Sequence, residues 1–86
     1  PLEIEVEACA ISGVVEAAVV KREADDTLHL FVTISDPSVT SQTILNHLNQ
    51  NLEPAKVPDV VRVMPALPKT INGKLDRKAL HGHLAT

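Results

Sequence analysis

Apolar residues along this chain follow more than one period, and the changes of period mark the elements. In residues 28–34 (LHLFVTI), Leu28, Leu30, Val32 and Ile34 recur at every second position, the pattern of a strand with one buried face. Residues 14–21 (VVEAAVVK) form a valine-rich, almost continuous apolar run, as a largely buried strand should. The polar stretch from Glu23 to Thr27 separates them, so the pair predicts an antiparallel hairpin. Beyond Asp36-Pro37-Ser38 the period lengthens: Ile44, Leu45, Leu48 and Leu52 share one face of a helix over about residues 40–52, started by Thr40 or Ser41. Glu53-Pro54 ends it, and Pro58 precedes a short strand over about 59–64 (DVVRVM). Residues 2–12 fit two periods. Leu2, Ile4 and Val6 alternate with glutamates as in a strand, whereas Ile4, Ala8 and Ile11 fall at helical spacing and Gly13 would suit a helix C-cap.

The last third is punctuated rather than periodic. Pro65 and Pro68 discourage both helix and central-strand pairing around Ala66-Leu67. Asn72-Gly73, between Ile71 and Lys74, predicts a two-residue hairpin turn with positive φ at both turn positions. Asp76 is placed to cap a final helix over about 77–84. The fold class is α+β: a small sheet of about three strands plus a terminal β-hairpin, with helices packed on it.

With 86 residues the chain is one domain, small enough to bury only about 60–65% of its unfolded surface. Phe31 is the sole aromatic residue, so the core must be aliphatic. Cys9 is the sole cysteine, which excludes an internal disulfide and a cysteine-based zinc site and fits a reducing, cytoplasmic setting. No apolar run is long enough for a membrane span, and no secretory leader is visible. A net charge of −3 argues against general nucleic-acid affinity. The charge is uneven. Lys69, Lys74, Arg77 and Lys78 crowd one short segment against Asp76 alone, while Glu3, Glu5, Glu7, Glu16, Glu23, Asp25 and Asp26 populate the front. A basic end on an acidic domain suggests an anionic ligand met at one face, and a solvated charged tail is the plainer alternative.

The segment from Leu67 to Leu80, LPKTINGKLDRKAL, resembles the C-terminal signature of the adenylate-forming (acyl-activating) superfamily, which includes acyl-CoA synthetases, nonribosomal peptide synthetase adenylation domains and luciferases. VPDVVRVMPALP resembles the family's run into that motif, and Leu2-Glu3-Ile4-Glu5 the close of its hinge-region motif. The resemblance covers nearly the whole chain and resolves residues 3–11 as helix. It implies a mobile C-terminal (lid) subdomain over 1–86, with the large N-terminal subdomain and the hinge residue lying outside the chain, so that the chain alone is inactive. It implies that Lys74 is the catalytic lysine, that Asn72 and Gly73 position it, and that Lys69, Arg77 and Lys78 are candidate contacts to nucleotide or partner. The implied reaction uses ATP and Mg2+, bound mainly by the large subdomain. A carboxylate attacks the α-phosphate, and coenzyme A or a carrier protein's phosphopantetheine then takes the acyl group. No metal ligand is assigned within the chain. Pro1-Leu2 leans toward CoA ligases and NGKLDRKAL toward peptide synthetases, so the acceptor stays open. The competing reading, from a different class, is a noncatalytic interaction module docking an acidic partner such as an acyl or peptidyl carrier protein through residues 69–78.

The remaining candidates have plainer readings. Asp76 reads as a helix cap, Cys9 as a small core residue, His29 as lying on the polar side of its strand, and His47 as exposed. His81 and His83 lack a third ligand in view and read as surface residues.

Overall fold

A strand whose two faces are both apolar or shielded must be covered on both sides, and the strand over Thr27–Ile34 is of that kind: Leu30, Phe31 and Val32 are all essentially inaccessible. The computed structural model describes residues 2–84. In chain order the elements are α1 (Leu2–Cys9), β1 (Val14–Arg22), β2 (Thr27–Ile34), α2 (Ser41–Asn51), a single 3-10 turn at Pro54–Lys56, β3 (Val60–Val63) and α3 (Arg77–Leu84). The sheet order is β1-β2-β3, with β1 antiparallel and β3 parallel to the central β2. The parallel pair follows from α2, which supplies the crossover that such strands need.

Two cores result. On one face, Ile4 and Ala8 of α1 and Ile44 and Leu48 of α2 pack with Val19, Leu30 and Val32. On the other, Leu80 and Leu84 of α3 pack with Ala18, Val20 and Phe31, joined by Leu67 from the segment after β3. A bulge in β1 places two residues, between Val14 and Glu16, against one step of β2. It brings Val14 onto the face of Val19 and leaves Val15 exposed. Thr40 caps α2 by accepting from the Thr43 N–H at 3.1 Å, and Asp76 caps α3 by accepting from the Ala79 N–H at 3.0 Å. Among the described residues no helix is long and apolar enough to cross a membrane.

Three local expectations are corrected. Gly13 is not a helix cap: α1 ends at Cys9, and Gly13, at φ +95, turns the chain into β1 with room for no Cβ, which would lie 2.8 Å from Val39 Cγ2. Cys9 is exposed rather than in the core, because Ile4 and Ala8 define the buried stripe of α1. His47 is half-buried, its Nε2 2.9 Å from Glu7 Oε1, which ties α2 to α1.

The larger correction is His29, which is fully buried. It shares the face of Phe31, which α3 covers. Its ring sits in a polar chain: Arg62 Nε donates to Nδ1 at 3.3 Å, Nε2 lies 2.9 Å from Thr27 Oγ1, and Thr27 Oγ1 donates to Asp25 at 2.7 Å. With Nδ1 as acceptor, the proton sits on Nε2 and the ring is neutral. Burial first, then the Arg62 and Arg22 charges, lower its pKa against the opposing pull of Asp25 and Asp59. The folded state therefore resists the proton that the unfolded chain takes up below its ordinary value of 6.5. The stability from His29 is complete above that pH and is lost as pH falls from there toward the lowered folded value. In urea unfolding, the stability difference between the native chain and His29→Gln should shrink below pH 6.5, by at most about 1.4 kcal/mol per pH unit. A difference independent of pH would contradict this account of the ring.

Candidate functional site

After β3 the chain must pass from the open edge of the sheet to the face that α3 covers, and the basic segment makes that passage. Its apolar anchors are Leu67, 5% exposed, and Leu75, packed against the same core. Between them the backbone closes a small loop. Lys69 and Leu75 form a single antiparallel bridge, and the Thr70 N–H donates to the Lys74 carbonyl at 2.7 Å. The Asp76 N–H donates to the Pro68 carbonyl at 2.9 Å.

The turn differs from the two-residue hairpin expected of Asn-Gly. The Gly73 N–H donates to the Thr70 carbonyl at 2.9 Å and the Lys74 N–H to Thr70 Oγ1 at 3.3 Å, so Ile71, Asn72 and Gly73 form a three-residue loop between Thr70 and Lys74. Only Gly73, at φ +82, takes a positive φ in this loop. Thr70 captures the returning chain with both its carbonyl and its hydroxyl, which removes the need for Asn72 to enter the left-handed region. Gly73 is the last residue of the loop, and Lys74 the first after it.

The four basic residues separate into two kinds. Lys69 Nζ donates to Glu16 Oε2 at 2.6 Å. Arg77 donates to the Val19 carbonyl at 2.8 Å and to Glu5 Oε2 at 3.2 Å. Lys74 and Lys78 are exposed, and among the described residues neither ammonium has a hydrogen-bond or ion-pair partner. Ile71, beside them at the loop tip, is fully exposed. Sequence reasoning missed Glu5 and Glu16, the acids that hold the loop's legs. They lie 72 and 53 positions from their partners, and no local pattern marks such a pairing.

The loop is a protrusion rather than a pocket. A surface concavity is lined by Lys21, Asp26, Leu28, Pro54, Ala55, Val57 and Asp59, and includes none of its residues. Among the described residues no three His, Cys, Asp or Glu side chains converge as a group that could hold a metal ion. Partial desolvation first, then the charges of Glu5 and Glu16, raise the Cys9 thiol pKa, which disfavours the thiolate that a nucleophile needs. What remains is an unneutralised ammonium on a pinned loop, able to oppose negative charge on a phosphate or carboxylate that something else binds.

Comparison with known proteins places this geometry. Residues 3–74 match the family described as the AMP-binding enzyme C-terminal domain. The chain is 37% identical over 83 residues to the delta-poly-L-ornithine synthetase of Acinetobacter baumannii, a match covering 91% of this chain and 6% of that protein. It is 34% identical over 91 residues to the 3-hydroxybenzoate–CoA/4-hydroxybenzoate–CoA ligase of Thauera aromatica, covering 98% of this chain and 17% of that one. Apo MatB from Rhodopseudomonas palustris superposes with a TM-score of 0.89 at 29% identity, over 96% of this chain and 17% of that one. The chain thus spans at most 17% of the length of each of these proteins.

The two exposed glycines should answer substitution with opposite signs. No atom lies within 4 Å of a Cβ at either, so backbone conformation alone decides. Gly73→Ala, at φ +82, should destabilise the chain by about 1–2 kcal/mol. Gly82→Ala, inside α3, should stabilise it by about 0.5–1 kcal/mol. Urea unfolding of the two variants checks this, and the same sign for both would refute it.

Proposed function

The chain belongs to the AMP-binding enzyme C-terminal domain family, and from that premise we propose that it is the mobile C-terminal subdomain of an ATP-dependent carboxylate-activating ligase, with Lys74 its catalytic residue. The observation that carries this is the Lys74 ammonium, exposed and unpaired on a loop whose two legs are tied to the domain. In the first step a substrate carboxylate oxygen attacks the α-phosphorus of ATP and pyrophosphate leaves, giving an acyl-adenylate. Both reactants are anions, and charge accumulates on the phosphorus oxygens. A fixed ammonium reaching from the loop opposes it there, in a site where water is excluded by the facing subdomain. In the second step a thiol, from coenzyme A or a carrier protein's pantetheine arm, takes the acyl group and AMP leaves.

A protrusion without a pocket fits a division of labour in which the large subdomain binds nucleotide, Mg2+ and acid. Rotation about the hinge then brings Lys74 in for the first step and takes it away for the second.

Lys74→Ala in the complete enzyme should lower carboxylate-dependent ATP–pyrophosphate exchange by about two to three decades, equivalent to roughly 3–4 kcal/mol. Lys78→Ala, also exposed but placed on α3 directly after Arg77, should stay within about threefold. Unchanged exchange in Lys74→Ala, with weakened binding of a carrier protein, would replace this reading with that of a docking module for an acidic partner.

A further inference from the structure

The loop bearing Lys74 has a single bridge of strand pairing, yet each of its legs ends in a cation tied to β1. On the incoming leg, Lys69 Nζ donates to Glu16 Oε2 at 2.6 Å. Glu16 is held in turn, its Oε1 accepting from Thr33 Oγ1 of β2 at 3.4 Å. On the outgoing leg, Arg77 donates to the Val19 carbonyl at 2.8 Å and to Glu5 Oε2 at 3.2 Å, while the same Glu5 oxygen accepts the Val19 N–H at 2.8 Å. Val19 thus has both main-chain groups met by side chains, and the loop is strapped to one strand at Glu16 and at Val19.

We infer that Glu16 and Arg77 are positioning residues, which fix the direction in which Lys74 leaves the domain. The inference rests on the proposed role of Lys74. The apolar anchors Leu67 and Leu75 hold the loop against the second core, but burial is non-directional and leaves the loop free to roll about the line between them. Two hydrogen-bonded ion pairs on opposite legs remove that freedom. Both pairs are partly solvated, with side-chain exposures of 40% and 38% for Lys69 and Glu16 and 52% and 16% for Arg77 and Glu5. The solvated Lys69–Glu16 pair adds little to stability and the Arg77–Glu5 pair, with Glu5 mostly buried, adds more, so that amide exchange at Leu48 serves as the check that each variant is folded. Orientation is another matter, because a misplacement of about 1 Å at a reacting centre costs about a hundredfold in rate.

The two steps of the reaction separate positioning from folding, since Lys74 serves only the first. In the complete enzyme, the acid giving the fastest wild-type exchange among benzoate, 3-hydroxybenzoate, 4-hydroxybenzoate, L-ornithine and the proteinogenic amino acids serves as probe. Glu16→Gln and Arg77→Met should each lower kcat for ATP–pyrophosphate exchange about tenfold or more, with KM for ATP within about twofold. Thioester formation from supplied acyl-adenylate should stay within about twofold. Lys21→Met, which removes the more exposed ion pair to Asp26 at the β1–β2 turn, should change neither step. Independently of turnover, both loop variants should speed amide hydrogen exchange at Thr70 and Asp76, whose N–H groups close the loop, and leave Leu48 of α2 unchanged. Parallel loss of both steps, or unaltered exchange of the loop amides, overturns the inference. Normal pyrophosphate exchange in Glu16→Gln and Arg77→Met beside a defective Lys74→Ala overturns it too and leaves the role of Lys74 standing. Normal exchange in Lys74→Ala as well would instead remove the reading on which it rests.

Discussion

The burial of β2 on both faces sets the rest of this structure. An aliphatic chain with one phenylalanine has little large apolar surface to spend, and it places Leu30, Phe31 and Val32 in succession where none meets water. One face is covered by α1 and α2, which lie near in sequence. The other can only be covered by what comes after β3, because everything earlier is committed. The chain must therefore leave the sheet edge and reach the opposite face before α3 begins, and the Lys74 loop is the segment that does so. The position of the ammonium is thus a consequence of how the second core is closed.

Charge pairing explains why that ammonium stays available. Six of the seven acids in the front of the chain hold a partner: Glu3 with Lys56, Glu5 with Arg77, Glu7 with His47, Glu16 with Lys69, Asp25 with Arg22 and Asp26 with Lys21. The acids packed against the loop's legs pair with Lys69 and Arg77, and Lys74 makes no ion pair among the described residues. The uneven charge seen along the sequence is in this sense divided in three dimensions: two basic residues of the segment bind the domain, and two face outward. In the role proposed for Lys74, an internal partner would be an ion pair to break before the ammonium could meet another anion.

Much of this was legible beforehand, for reasons of local physics. β2 and α2 declare themselves by period, β1 by its valine-rich apolar run, and Thr40 and Asp76 by cap chemistry, because in each case the residues responsible are neighbours in sequence. The long motif around Lys74 pointed to its family. What escaped was set by contacts across the chain. His29 reads as solvent-facing because polar residues flank Phe31 on its face, and only α3, some fifty residues on, turns that face inward. Asn72-Gly73 suggests a two-residue turn, but Thr70 closes the loop one residue earlier. Glu5 and Glu16 look like any exposed glutamates until Arg77 of the last helix and Lys69 of the loop reach them.

The central claim, that Lys74 is delivered to a nucleotide held by a facing subdomain, is tested most directly by the reactivity of its amine. The complete enzyme would be treated briefly with an amine-acylating reagent, with and without ATP, Mg2+ and the activated acid, and labelling read by mass spectrometry at Lys74 and Lys78. The account predicts strong labelling at both in the free enzyme, and selective protection of Lys74 when the first step is poised. Equal labelling of Lys74 in both conditions would contradict it.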